Sequence, residues 1–257
     1  MPLSAIDISL KLGGTAVLKN IDVVIEPGKI VAVVGPNGAG KSSLLRLLSG
    51  TWRASRGRVV LNDRELAQWP IRDIAQTLAV MSQYSNLTFA FTSEEVVMLG
   101  RTPHAAGRKT DIDITAQALA RVDASHLARR LYTALSGGEK QRVHFARSLA
   151  QVWMVPPARP RYLLLDEPTA SFDLAHQQMT LAVLREFAED GVGVLVVLHD
   201  LNLAAQLADA MVLMKDGRIV TSGEPQAVMR ADVIDEVFGV DVTIVAHPRD
   251  GTPLAIL

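Results

Sequence analysis

Cysteine is absent from the 257 residues, and with it go disulfides, thiolate metal sites and cysteine nucleophiles. That suits a reducing compartment. Long hydrophobic runs are also missing: a membrane-crossing helix needs ~20 apolar residues, whereas the longest candidates, such as "VGVLVVL" from Val192 to Leu198, have the length of a strand. Charge of one sign is lacking as well. Lys and Arg total 26 against 27 Asp and Glu, a formal net charge of -1, so no basic field would draw the chain to nucleic acid and no partner can be inferred from charge. The start, "MPLSAIDISL", has neither the basic region nor the apolar run of a signal peptide. The expected location is the cytoplasm, with any membrane-spanning step left to a partner. What is present, 49% hydrophobic and 21% charged residues, can bury a sizeable core as one large domain or two small ones.

Short β-branched runs at Ile30 to Val34, Tyr162 to Leu165 and Val192 to Leu198 are apolar on both faces and read as central strands of a covered, largely parallel sheet. Ser42 to Ser49 is helical in pattern and stops at Gly50, where a left-handed residue is expected. From Thr92 to Trp153 the strand signal gives way to helical segments, and Pro156, Pro157 and Pro160 then end the last helix. Asp216-Gly217 and Asp250-Gly251 mark turns around a helical stretch near Gln226 to Phe238. The expected fold is α/β, with a largely parallel sheet and a small antiparallel β region. We divide it into a core of residues 1–83 and 160–222, an inserted helical subdomain of residues 84–159 and a C-terminal extension of residues 223–257.

"GPNGAGKS" follows an apolar strand and opens a helix, the context that a phosphate-binding loop requires. The loop of Gly35, Pro36, Asn37, Gly38, Ala39 and Gly40 would curl around the phosphates, with every residue except Pro36 offering a backbone N–H. Lys41 would add charge at the β- and γ-phosphates, and Ser42, with Ser43 beside it, would begin the helix and offer a hydroxyl to magnesium. "YLLLDEP" ends a strand in Asp166, suited to hold magnesium, and Glu167, suited to polarise a water as general base. His199 ends the third apolar strand, at the edge where parallel sheets place ligands. "LSGGE" has a plain reading in which Ser136 and Glu139 form a capping box. Neither Gly137 nor Gly138 is needed for that, and both would let an outside anion approach the helix start.

In this order, "GPNGAGKS", the Gln83 of "MSQY", "LSGGE", "YLLLDEP" and "VLHD" resemble the ATP-binding subunits of ABC transporters, up to about Gly223. The resemblance implies a P-loop ATPase fold, ATP and Mg2+ as ligands, and a homodimer in which Ser136, Gly137 and Gly138 bind the nucleotide held by the other copy. It assigns Glu167 as catalytic base, His199 to the γ-phosphate, Asp166, Ser42 and Gln83 to magnesium, and Asp173 to communication across the dimer. An adenine-stacking aromatic is expected about 25 residues before the phosphate loop, and that position falls on Leu10. The serine that usually opens the loop before Asp173 is Ala170 here. "FTSEEVVMLGRTPH" resembles ATPases serving iron-siderophore, vitamin B12 and heme permeases. "LAQVWMVPPARPRYLLLDEPTASFDLAHQQ" is similar to the hemin import group, with His176 expected at a surface or interface rather than on heme. The implied partners are two permease subunits and a periplasmic heme-binding protein, at the cytoplasmic face of the inner membrane. A siderophore or cobalamin importer, or a soluble ABC ATPase that remodels proteins, stays open on these motifs. Leu87, Phe89 and Phe91 fit either core packing or a groove for a permease helix.

Overall fold

The computed structural model describes residues 1–82, 89–153 and 160–257. Strands β1 (Leu3–Leu12) and β2 (Thr15–Ile25) form a long hairpin, and β3 (Ile30–Val34) leads into helix α1 (Lys41–Leu48). The strands β4 (Arg56–Leu61) and β5 (Arg64–Glu65) return to β1, making an antiparallel sheet in the order β2-β1-β4-β5. Helix α2 (Ile71–Thr77) runs straight into β6 (Leu78–Met81). Between Ser93 and Val152 the regular elements are the helices α3 (Ser93–Met98), α4 (Arg108–Arg121) and α5 (Gly137–Val152), with short 3-10 turns between them and one antiparallel bridge from Leu131 to Thr92. Then come β7 (Arg161–Asp166), α6 (Leu174–Glu189), β8 (Val192–Val197), α7 (Leu201–Leu207) and β9 (Ala210–Lys215). The strand β10 (Arg218–Gly223) completes a second sheet in the order β10-β9-β3-β8-β7-β6, parallel except for β10.

The three strands legible from sequence are its centre. All five residues of β3 are buried; Ile30, Ala32 and Val34 enter one core and Val31 and Val33 the other. The same alternation splits β7, with Leu163 and Leu165 on the helical side and Tyr162 and Leu164 toward the antiparallel sheet. Each fully buried leucine stabilises the fold by roughly 1.5–3 kcal/mol relative to exposure, so a sheet covered on both faces is what these runs dictate. Gly50 has φ 73°, the left-handed helix end expected there. Asp216 and Gly217, at φ 48° and 75°, make the β9–β10 turn.

After β10 the single helix expected near Gln226 to Phe238 is two: α8 (Pro225–Val228) and α9 (Ala231–Phe238), separated by an extended Arg230. The hairpin β11 (Thr243–Ala246) and β12 (Pro253–Ile256) is fastened to α7 by one amide. Asn202 Nδ2 donates to the Ala255 carbonyl (3.0 Å), and the Ala255 N–H donates to Asn202 Oδ1 (2.7 Å). Phe91 packs against the helical-side core, whereas Phe89 is 68% exposed. Leu87, Pro156 and Pro157 lie outside the described residues. No helix among the described residues is long and apolar enough to cross a membrane.

Candidate nucleotide site

Strands β3, β8 and β7 are neighbours, and their carboxyl ends deliver the phosphate loop, His199 and the Asp166-Glu167 pair to one edge of the sheet. The loop curls tightly because Gly40, at φ 101°, precedes α1, and a Cβ there would meet Leu18 Cδ2 at 2.6 Å. Lys41 is buried and donates from Nζ to the carbonyls of Gly35 (2.7 Å) and Pro36 (3.0 Å). Burial lowers the pKa of its ammonium, and the negative charges of Glu167 and Asp166 oppose that shift. Around them an open cavity of about 700 Å³ is lined by Val17, Asn37, Gly38, Ala39, Gly40, Lys41, Ser42, Ser43, Glu167 and His199.

Asp166 ends β7 at 6% exposure, and burial holds its carboxyl above the usual carboxylate range, offset in part by a hydrogen bond with Ser42. Its Oδ1 is buried with no hydrogen-bond partner. A buried carboxylate oxygen of this kind costs about 1–3 kcal/mol or more unless something pairs with it. A hard divalent cation accepts oxygen ligands of this type, so the Ser42–Asp166 pair fits Mg2+. Glu167 stands in the left-handed region at φ 53°, a conformation costing an L-residue roughly 1–2 kcal/mol. Hydrogen bonds hold it on two sides: its N–H donates to the Val197 carbonyl (3.1 Å), and its carbonyl accepts from Gln141 Nε2 (2.9 Å). Its Oε1 lies 2.5 Å from His199 Nε2, which places the imidazole and the carboxylate in one pair at the cavity wall.

Ser136, Gly137, Gly138 and Asp173 do not line this cavity. Ser136 caps α5, accepting from the Glu139 N–H (3.3 Å) while Glu139 Oε2 accepts from the Ser136 N–H (2.7 Å), so the expected capping box is present. Asp173 caps α6 through the His176 N–H (2.8 Å), with its side chain 66% exposed. Gln83 lies outside the described residues.

One expectation is overturned. Leu10 is 2% exposed and packs in the core shared with Leu18, so its side chain has no free surface for a base. The β1–β2 ladder shifts register between Ile8 and Leu10 and again between Leu10 and Lys11, so a fixed offset from the phosphate loop mistakes which residues face outward. Val17 lines the cavity and Leu12, at the hairpin end, is 43% exposed. The sequence reading also passed over Val17, Gln141 and Arg142. Gln141 and Arg142 sit one turn into the helix that Ser136 caps, and that position was the available signal.

A phosphate loop, a buried strand-end acid, an adjacent glutamate–histidine pair and a separately placed glycine-opened helix together define an ATP-binding cassette. The profile of the ABC transporter family matches residues 18–170, and the chain belongs to that family. It is 51% identical over 256 residues to the hemin import ATP-binding protein HmuV of Gloeobacter violaceus, covering 99% of this chain and 93% of that one. Identity is 48% to the hemin import ATP-binding protein HmuV of Pseudomonas aeruginosa, over 97% of each chain. Among solved structures, a transporter described as of metal-chelate type, in an inward-facing conformation, superposes with a TM-score of 0.80 at 25% identity, covering 99% of this chain and 96% of that one. The dimeric post-hydrolysis state of the cassette MJ0796, bound to ADP and Pi, gives 0.75 at 25% identity over 86% and 98%.

Proposed function

We propose that the chain is the ATP-hydrolysing subunit of an importer that carries heme across the bacterial inner membrane. It would work at the cytoplasmic face as a homodimer beneath two transmembrane permease subunits, supplied by a periplasmic heme-binding protein. The full-length identity of about half to hemin import ATP-binding proteins supports heme over siderophore or cobalamin. In our reading residues 1–83 and 160–222 form the nucleotide-binding core, residues 84–159 the helical subdomain and residues 223–257 an extension. Exposed Phe89 and a cavity of about 540 Å³ lined by Met98, Ile112 and Leu119 offer apolar surface on the helical part for a permease helix.

The phosphate loop from Gly35 to Ser43 holds the phosphates. Lys41 exchanges its bonds to the Gly35 and Pro36 carbonyls for phosphate oxygens. Ser42, Asp166 and Gln83 would hold Mg2+, which when bound neutralises charge on the phosphates. Glu167 accepts a proton from the attacking water as that oxygen bonds to the γ-phosphorus and the bond to ADP breaks. His199 orients Glu167 and then donates to the transferred phosphate.

The observation that carries the dimer is Gly137. Among the described residues a Cβ there would meet nothing within 4 Å, and its φ is not left-handed, so none of them requires glycine at that position. A requirement from outside, the partner's nucleotide approaching the α5 N-terminus, accounts for it. Heme uptake in cells lacking the chain tests the substrate: lost heme uptake is expected, and intact heme uptake with lost siderophore uptake would reassign it. Co-purification with a multi-spanning protein is the second test, and a fully soluble assembly would favour the protein-remodelling alternative.

A further inference from the structure

Outside the nucleotide cavity, α5 reaches across to the loop between β7 and α6 at both of that loop's ends. At the start, Gln141 Nε2 donates to the Glu167 carbonyl at 2.9 Å. At the end, Arg142, whose side chain is 10% exposed, sets Nη1 2.9 Å from His176 Nε2, and His176 Nδ1 lies 2.8 Å from Asp173 Oδ1. The same Nη1 donates to the Asp123 carbonyl at 2.8 Å, with the Asp123 carboxylate 3.6 Å away. Between them the loop also touches the glycine-opened helix start, since a Cβ on Gly138 would sit 3.2 Å from the Ser171 carbonyl.

The chemistry orders this chain of contacts. A guanidinium only donates, so a hydrogen bond from Arg142 requires His176 Nε2 to be an unprotonated acceptor. The ring proton then sits on Nδ1 and donates to Asp173. The charged groups facing the ring are Arg142 from α5, Asp173 from the cap of its own helix and, 3.9 Å from Nε2, Asp123 from the turn after α4. Helix capping does not need the imidazole, because Asp173 Oδ1 already accepts from the His176 backbone N–H at 2.8 Å.

We infer that His176 is a positioning residue which, through Arg142, ties the orientation of Asp173 to the helix that begins at Ser136. The arrangement gives α5 two grips on one loop: Gln141 on Glu167 of the chain's own site, and Arg142–His176 on Asp173. Movement of the helix start, where the partner's nucleotide is bound in the reading above, is thereby transmitted to the loop carrying the chain's own glutamate. This inference rests on that shared-site reading.

The test uses the full-length chain and separates the two halves of the relay. His176→Ala removes both contacts, His176→Asn keeps a donor where Nδ1 stood, and His176→Gln keeps an acceptor where Nε2 stood. All three are expected to lower kcat roughly five- to ten-fold, the low end of a coupling between sites. ATP affinity and Tm should stay at wild-type values, since the backbone cap survives. Arg142→Met should lower kcat to the same degree and add nothing further to the kcat loss of His176→Ala, because contacts in one network are not additive; its Tm falls as well, since the bond to the Asp123 carbonyl is lost. If Arg142→Met fails to fold, the three His176 variants carry the test unaided. The imidazole nitrogen NMR signals should show the Nδ1–H tautomer in the wild type. Wild-type kcat in His176→Asn would overturn the relay, as would an Nε2–H tautomer. Wild-type specific activity that stays flat down to dilutions at which sedimentation shows the chain to be monomeric would overturn the shared site and this inference together. Concentration-dependent activity with unaffected His176 variants would overturn this inference alone.

Discussion

Replacing Gly137 by alanine separates what this chain needs from what a second copy needs. Gly137 is the first residue of α5, its φ is not left-handed, and an added Cβ would meet no atom of the described residues within 4 Å. Within one chain the substitution narrows the unfolded ensemble without a clash, which stabilises by about 0.4–1 kcal/mol. For a chain of 257 residues that corresponds to a Tm rise of roughly 1–4 °C. If a phosphate of the partner's nucleotide must approach the N–H groups here, the methyl group displaces it, and losing one such donor costs about 10²–10³ in kcat. ATP binding to the isolated chain should be unchanged, because Gly137 does not line the phosphate cavity. Thermal unfolding, calorimetric ATP binding and steady-state ATPase assays on the same preparation give the three numbers. A lower Tm would mean that the glycine serves this chain. Unchanged kcat would refute the approach of an anion at α5. Gly138→Ala cannot make this separation, since its Cβ would press on the Ser171 carbonyl at 3.2 Å.

Glu167→Gln should cut kcat by roughly 10²–10⁴ with ATP still bound, and near-normal hydrolysis in an ATPase assay would remove it as the base. Lys41→Ala should weaken ATP binding by about 1.5–3 kcal/mol, the worth of a hydrogen bond to a charged group, read by calorimetry. Asp166→Asn should raise the stability of the nucleotide-free chain by about 1–3 kcal/mol at neutral pH by removing a buried, incompletely paired charge. Burial raises the Asp166 carboxyl, so folding disfavours its ionised form and the wild type loses stability as pH rises through the raised value. The advantage of the asparagine should therefore fade as pH falls through that value, and a gain that persists in acid would refute the cause. Leu10→Tyr should cost about 1–3 kcal/mol of stability by overpacking the core and leave ATP affinity alone. Leu12→Tyr should leave stability unchanged and tighten ATP by up to about 1 kcal/mol in calorimetry, and an unchanged affinity would refute a base seated at the hairpin end.

The chemistry of the cavity was legible because phosphate loops and strand-end acids are local in sequence: Gly35 to Ser43, Asp166, Glu167 and His199 each follow a strand that its own apolar run defines. The strands β1 and β2 were not legible as strands, since Asp7 and Asn20 take φ 48° and 51° and the ladder slips register, so alternation fails where Leu10 was placed over the base. The grips of Gln141 and Arg142 join residues 26 and 34 positions apart, which no spacing rule anticipates. The glycines of "LSGGE" gain a control that only the folded chain supplies. At α3, Thr92 and Glu95 make the same reciprocal cap, with the Thr92 N–H donating to Glu95 Oε2 at 2.7 Å, as the Ser136 N–H does to Glu139 Oε2. The two residues inside that box are Ser93 and Glu94, so this fold builds the cap without glycine. Gly138 is then explained by the Ser171 carbonyl pressing on it, and Gly137 by nothing among the described residues of its own chain. Of the two caps, the one that carries glycines is the one whose helix also reaches Glu167 through Gln141, which is where a ligand shared between two copies would have to be felt.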